Sequence, residues 1–96
     1  MLVLVTYDIK MTEYSGAMRL RKISKICKDY GQRVQYSIFE CNVTPAQWET
    51  LKHKLLGEFE PKLDSFRFYF LGSNWKRRVE HHGAKPAIDM DAPLIL

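Results

Sequence analysis

Apolar residues in this chain repeat with two different periods, and the order in which the periods alternate leaves few folds open to it. Val3, Leu4, Val5 and Thr6 form an apolar, β-branched run that closes on Tyr7 and Asp8, so residues 1–8 read as a buried strand. Residues 9–15 are polar and turn-like. From Ser15-Gly16 the spacing changes. Leu20, Ile23, Cys27 and Tyr30 make one apolar helical stripe, while Arg21, Lys25 and Lys28 repeat on another face. Gly31 then ends the helix as a C′ glycine. In QRVQYSIFECNV the period returns to two, with Val34, Tyr36 and Ile38 alternating against Arg33, Gln35, Ser37 and Phe39. That stretch is long for one strand and short for a hairpin, and it has no Asn-Gly or Asp-Gly turn. It is either one strand bent near Tyr36-Ser37 or two short strands meeting there.

Thr44-Pro45-Ala46-Gln47 starts a second helix: Thr44 caps, Pro45 suits the first helical position and Gln47 completes a capping box. Trp48, Leu51, Leu55 and Phe59 form its buried stripe, and Pro61 lies just past its end. SFRFYFLG alternates again, with Phe66, Phe68 and Phe70 on one face. After a Gly72-Ser73-Asn74 turn, Trp75 to His82 reads as a further strand. The resulting order is the α+β, ferredoxin-like βαββαβ pattern with a C-terminal extension. The 96 residues fit one domain, 1–96, in which residues 79–96 are the extension. Two short helices look insufficient to cover three phenylalanines, so a second subunit stacking sheet to sheet is expected to bury them and form a homodimer. The apolar tail, KPAIDMDAPLIL, is also expected to pack on the partner subunit.

A composition of 46% hydrophobic and 27% charged residues belongs to a folded domain and excludes disorder. The apolar run at the N-terminus is too short for a signal peptide or a membrane span. Cys27 and Cys41 fall in regular elements outside any CxxC pair, which suits core thiols in a reducing, cytoplasmic protein. Charge is concentrated. Between Gly16 and Arg33, six bases (Arg19, Arg21, Lys22, Lys25, Lys28 and Arg33) stand against one acid, Asp29, a local net of +5 in a chain of net charge +4. Lys76, Arg77 and Arg78 form a second basic cluster. Such surfaces suit a polyanion, although a solvated helix face has the same signature.

Asp8 is the candidate for chemistry. A carboxylate at a strand end is either a turn residue or a ligand that reaches solvent while its neighbours stay buried. A two-fold dimer can bring two copies together, and paired carboxylates with water suit Mg2+. Arg19, Arg21, Lys25 and Arg33, with Lys76, Arg77 and Arg78, are candidate nucleic-acid contacts, because arginine's planar fork matches phosphate oxygens. Ser37 is a phosphate donor or an ordinary strand residue, and no His-Asp relay supports a hydrolase serine. His81 and His82, adjacent in a strand, point to opposite faces and cannot easily chelate one ion.

TYDI at the end of the first strand, RLRK on the first helix, YGQRVQYSIFEC and the basic segment NWKRRVEHHGAKP together resemble the CRISPR-associated protein two family, small CRISPR adaptation proteins also described as endoribonucleases. The likeness runs over nearly the whole chain, and VEHHGAKP is most similar to the form found with type I-C loci. The resemblance implies a ferredoxin-like homodimer whose C-terminal strand crosses onto the partner's sheet. It implies that this dimer bridges two dimers of the CRISPR integrase and holds duplex DNA for insertion as a new spacer. It also implies endonuclease activity, dependent on Mg2+ or another divalent metal, on single-stranded RNA or double-stranded DNA. Carried over by position, Asp8 is the metal-binding and catalytic aspartate, with Tyr7 before it. Arg19 and Arg21 are the helix arginines, Arg33 the arginine after the helix and Phe39 the strand phenylalanine; Tyr7, Ser37 and Phe39 would support the site. The alternatives are a purely non-catalytic DNA-binding scaffold and a toxin-like ribonuclease of the same fold.

Overall fold

A computed structural model describes residues 1–12, 14–71 and 79–84. In chain order these form β1 (Leu2–Asp8), α1 (Tyr14–Tyr30), β2 (Gln32–Gln35), β3 (Ile38–Asn42), α2 (Pro45–Glu58), β4 (Ser65–Phe70) and β5 (Val79–Gly83). The strands make one sheet in the order β2-β3-β1-β4-β5, with every neighbouring pair antiparallel. The first four strands with the two helices are the ferredoxin-like βαββαβ unit, and β5 adds an edge strand to β4. Residues 79–83 of the expected extension therefore lie on the chain's own sheet. Trp75, Lys76, Arg77, Arg78 and the tail from residue 85 lie outside the described residues.

Local chemistry sets the element ends. The stretch after α1 is two strands, with Tyr36 and Ser37 as the turn and an irregular register between Arg33 and Gln35. At the start of α2, the Thr44 hydroxyl accepts from the Gln47 amide at 3.2 Å, and the Gln47 side-chain oxygen accepts from the Thr44 amide at 2.8 Å. This capping box satisfies donors that a helix start otherwise leaves open. Gly83 has φ +115°, a backbone region that favours glycine. A Cβ there would also collide with the Asp64 carbonyl, to which the next amide, Ala84 N–H, donates at 3.0 Å.

The core corrects one expectation. Phe66, Phe68 and Phe70 pair in register with Tyr7, Val5 and Val3, so all six side chains lie on one face, and that face is the helical one. Two helices suffice because large aromatic rings span the gap. The Trp48 ring centroid sits 4.8 Å from that of Phe68 and 5.2 Å from that of Phe70, and Phe59 lies 5.1 Å from Phe66. Ile23 and Cys27 from α1, and Leu51 and Leu55 from α2, complete the cluster. Cys27 and Cys41 are buried, free thiols. Burial, with a smaller push from Cys41 and despite Arg33, raises the Cys27 thiol to about 12; burial and Glu40 raise Cys41 to about 11. They act as packing groups and not as nucleophiles.

The opposite face is mixed. The same register puts Leu2, Leu4, Thr6 and Asp8 of β1 there with Ile38, Glu40 and Asn42 of β3, Ser65, Arg67 and Tyr69 of β4, and Val79 and His81 of β5. Among the described residues, no helix covers this face.

Candidate functional site

The alternation of β1 sends Val3, Val5 and Tyr7 into the core and leaves Asp8 exposed at the strand's C-terminal end, on the open face. Strand pairing brings other groups beside it. Thr6 pairs with Arg67, and Arg67 pairs with His81, so these three form one row across the sheet. Asp8 pairs with Ser65, and Ser65 with Gly83, in the next row. The small side chains in that second row leave a cleft of about 230 Å³, lined by Thr6, Tyr7, Asp8, Ser65, Phe66, Arg67 and His81. This is smaller than the roughly 300–1,000 Å³ of typical small-molecule sites, and it combines an acid, a guanidinium and an imidazole. The Arg67 Nη2 donates to His81 Nδ1 at 3.1 Å, and the Thr6 hydroxyl donates to the Arg67 carbonyl at 3.0 Å.

His82 points the other way, as adjacent strand residues must. Its ring lies against Phe68, and its Nε2 is 3.3 Å from Glu80. Burial raises the Glu80 carboxyl, but hydrogen bonds and charge from Lys52 and His82 hold it below its ordinary value. Lys52 Nζ stands 2.7 Å from it and ties α2 to β5.

Other sequence candidates are dispersed. Arg19 lies with Asp64: its Nε donates to Oδ2 at 2.7 Å and its Nη2 to Oδ1 at 3.1 Å. Asp64 is fully buried and also accepts from the backbone amides of Lys10 and Glu60, at 3.0 and 2.9 Å. Tyr7 is buried, and its hydroxyl shares a 2.8 Å hydrogen bond with Ser24. Phe39 is in the core, with the Arg33 guanidinium 5.1 Å from its ring centroid. Ser37 is in the hairpin turn, where its carbonyl accepts from the Tyr7 amide at 3.1 Å. Arg21, Lys25, Lys28 and Arg33 are exposed. Among the described residues, Arg21, Lys25 and Lys28 have no acidic partner, whereas Lys22 is 3.9 Å from Glu58.

Three contributors were missed from sequence: Asp64, Arg67 and His81 in its pairing with Arg67. A parity signal existed for Arg67, since alternation in SFRFYF puts it opposite the phenylalanines. Its meeting with His81 depends on the β4–β5 register, which no local motif announces.

Among the described residues no cluster of three or more His, Cys, Asp or Glu side chains is placed to hold a metal ion. One chain brings a single carboxylate to the cleft and sets a guanidinium beside it. That donor set does not fit Mg2+ by itself, since the ion takes several oxygen ligands and an adjacent cation opposes it. No helix among the described residues is long and apolar enough to cross a membrane.

Comparison with known proteins gives a consistent family. The family model described as CRISPR associated protein Cas2 matches residues 1–79. A CRISPR-associated endoribonuclease Cas2 of Chlorobaculum tepidum is 64% identical over 96 residues, covering 100% of both chains. A CRISPR-associated endonuclease Cas2 of Halalkalibacterium halodurans is 52% identical over 95 residues, covering 99% of each. Among solved structures, Streptococcus pyogenes Cas2 at pH 6.5 superposes with a TM-score of 0.71 at 56% identity, covering 83% of this chain and 96% of that one. With the sheet order, the two helices on one face and an acid ending the first strand all in place, this chain belongs to the CRISPR associated protein Cas2 family.

Proposed function

We propose that the chain acts as a cytoplasmic homodimer in CRISPR adaptation, gripping nucleic acid by its phosphates and bridging integrase dimers during insertion of new spacer DNA. The observation that carries the binding role is the exposed face of α1, where Arg21, Lys25 and Lys28 have no acidic partner among the described residues. Binding through phosphates needs this charge and no catalytic constellation. The residues VEHHGAKP support the type I-C affiliation. Leu2, Leu4 and Ile38, half-buried on the sheet's open face, supply apolar surface on which a second copy can stack.

Endonuclease activity is the second reading, favoured by the cleft in which Asp8 stands with Arg67 and His81 and by the names of the relatives. Mg2+, or another divalent ion, belongs to this reading only in the dimer, where a two-fold would add the partner's copy of Asp8 as a second carboxylate. Such an ion would supply charge neutralisation at a phosphodiester.

One experiment separates the two readings. Purified wild type and Asp8→Ala are assayed side by side for duplex DNA and single-stranded RNA cleavage, with and without Mg2+, and for spacer acquisition in cells. Metal-dependent cleavage lost in Asp8→Ala supports the enzymatic reading. Acquisition that survives the substitution shows that the binding role stands without turnover. Cleavage that persists in Asp8→Ala removes Asp8 from the chemistry.

A further inference from the structure

The outer side of α1 has a pattern that phosphate binding alone does not explain. Tyr14, Met18, Arg21, Lys25 and Lys28 follow one another at spacings of four, three, four and three, so they fall on a single stripe. At about 1.5 Å of rise per residue the stripe is about 21 Å long. Ile23, buried under the helix, stands nine residues on from Tyr14 and hence half a turn round, at about 100° per residue. The stripe therefore points away from the sheet, and a second copy stacked on the open face leaves it uncovered. All five side chains are exposed, Tyr14 at 82% and Met18 at 42%. The Tyr14 side chain makes no hydrogen bond and no ring contact among the described residues. Its backbone is nevertheless firmly seated. The first turn of α1 sits so close to the Lys10 carbonyl and Met11 that a Cβ at Gly16 would collide with them.

We propose that this stripe is a track for an unpaired polynucleotide strand, in which Arg21, Lys25 and Lys28 hold phosphates and the Tyr14 ring stacks on a base. Met18, one turn along the same side, extends the apolar end of the track. The inference rests on the phosphate-binding reading of α1 and adds to it the strandedness of the ligand. Phosphate charge draws a polyanion whether it has one strand or two. Base faces distinguish the two cases. In a duplex each face is covered by its neighbours, whereas an unpaired base can turn its face to an aromatic ring. A row of cations that ends in an exposed ring on a rigid helix therefore favours the single strand. Every base has such a face, and a ring that stacks on it reads no sugar hydroxyl, so RNA and DNA strands bind alike.

The test measures binding by the full chain through fluorescence anisotropy at one fixed salt concentration. The probes are labelled oligothymidylate and oligouridylate strands, an abasic strand of equal length and a duplex. Wild type should bind the two base-bearing strands alike, and about tenfold more tightly than the abasic strand, the contribution of one stacked base. Tyr14→Ala should lose that tenfold and leave binding of the abasic strand and the duplex unchanged. Tyr14→Trp should keep it, and Tyr14→Leu, which is apolar but has no ring, should not. The Tyr14 ring-proton resonances, assigned by their loss in Tyr14→Ala, should move upfield when oligothymidylate is added. Arg21→Ala should weaken all four probes, the abasic strand included. Wild-type affinity for oligothymidylate in Tyr14→Ala, or an equal loss on the abasic strand, would overturn the stacking role. If Arg21→Ala still weakens every probe in that case, the phosphate reading of α1 stands without it. If neither substitution changes any probe, both fall. A Tyr14→Ala protein that binds every probe like wild type but no longer captures the purified integrase would make this end of the stripe a protein contact, and that too would overturn the proposal.

Discussion

Arg19 closes on Asp64 across 45 residues of sequence, with Nε 2.7 Å from Oδ2, while the Asp64 side chain is fully buried. The pair joins α1 to the turn before β4. Asp64 also holds the Lys10 amide of the β1–α1 loop and the Glu60 amide after α2. One carboxylate thus organises three chain segments behind the end of β1. A residue that charge and family resemblance marked for nucleic acid is placed to support the frame that presents Asp8.

Arg19→Ala should therefore read as a stability mutant. Removing one member of a buried pair leaves an uncompensated charge and typically costs about 3–5 kcal/mol. Urea denaturation should show a lowered midpoint with an unchanged slope. The salt dependence of duplex binding by the remaining folded protein should match the wild type. A stable Arg19→Ala with a reduced salt slope would instead make Arg19 a phosphate contact.

Acid should act through the same group. Burial alone would raise the Asp64 carboxyl, but hydrogen bonds from Arg19, Glu60 and Lys10 and the Arg19 charge outweigh it and hold the group below its ordinary 3.8. A depressed carboxyl contributes stability that is fully present above the unfolded-state value and is lost as pH falls through the folded one. The contribution of Asp64 should then be constant with pH near neutrality and decline below about pH 4. Asp64→Asn should be less stable at pH 7 and show a flatter acid limb in thermal melts taken across that range.

Gly83→Ala tests the backbone at the edge of the cleft. Its φ of +115° disfavours any side chain, and the new Cβ would meet the Asp64 carbonyl. The strain should cost about 1–3 kcal/mol and loosen β5 from β4. Hydrogen exchange should report this as faster exchange at Ala84, whose amide donates to that carbonyl.

On α1, Arg21→Ala and Lys25→Ala should weaken duplex binding with little regard to sequence. Each should reduce the salt slope by about one where it contacts a phosphate. Melting temperature should barely move, because both side chains are exposed and have no ion pair among the described residues. An unaltered salt slope in both variants would take this helix face out of the binding surface.

Periodicity carried much of the fold. The α1 stripe of Ile23 and Cys27, the Thr44–Gln47 capping box and the Trp48, Leu51 and Leu55 stripe each follow from spacing within a single element. The hairpin at Tyr36-Ser37 stayed open because no turn residue marked it. The side of the sheet taken by Phe66, Phe68 and Phe70 was misjudged because alternation tells that three residues share a face without telling which face the helices occupy. For the site, Asp8 was visible at the end of an apolar strand. Asp64 was not, because its partners lie at Lys10 and Arg19, far away along the chain.

Short-range pattern by itself determined the kinds of element, their order and the acid that ends the first strand, since strand alternation, helical stripes and caps are properties of neighbouring residues. Tertiary structure alone decided which charged groups meet. It turned Arg19 toward Asp64, and through the β1–β4–β5 register it set Arg67 and His81 one row from Asp8. Those encounters depend on contacts between segments remote in the chain, and a single register shift of one residue would have sent Arg67 to the opposite face.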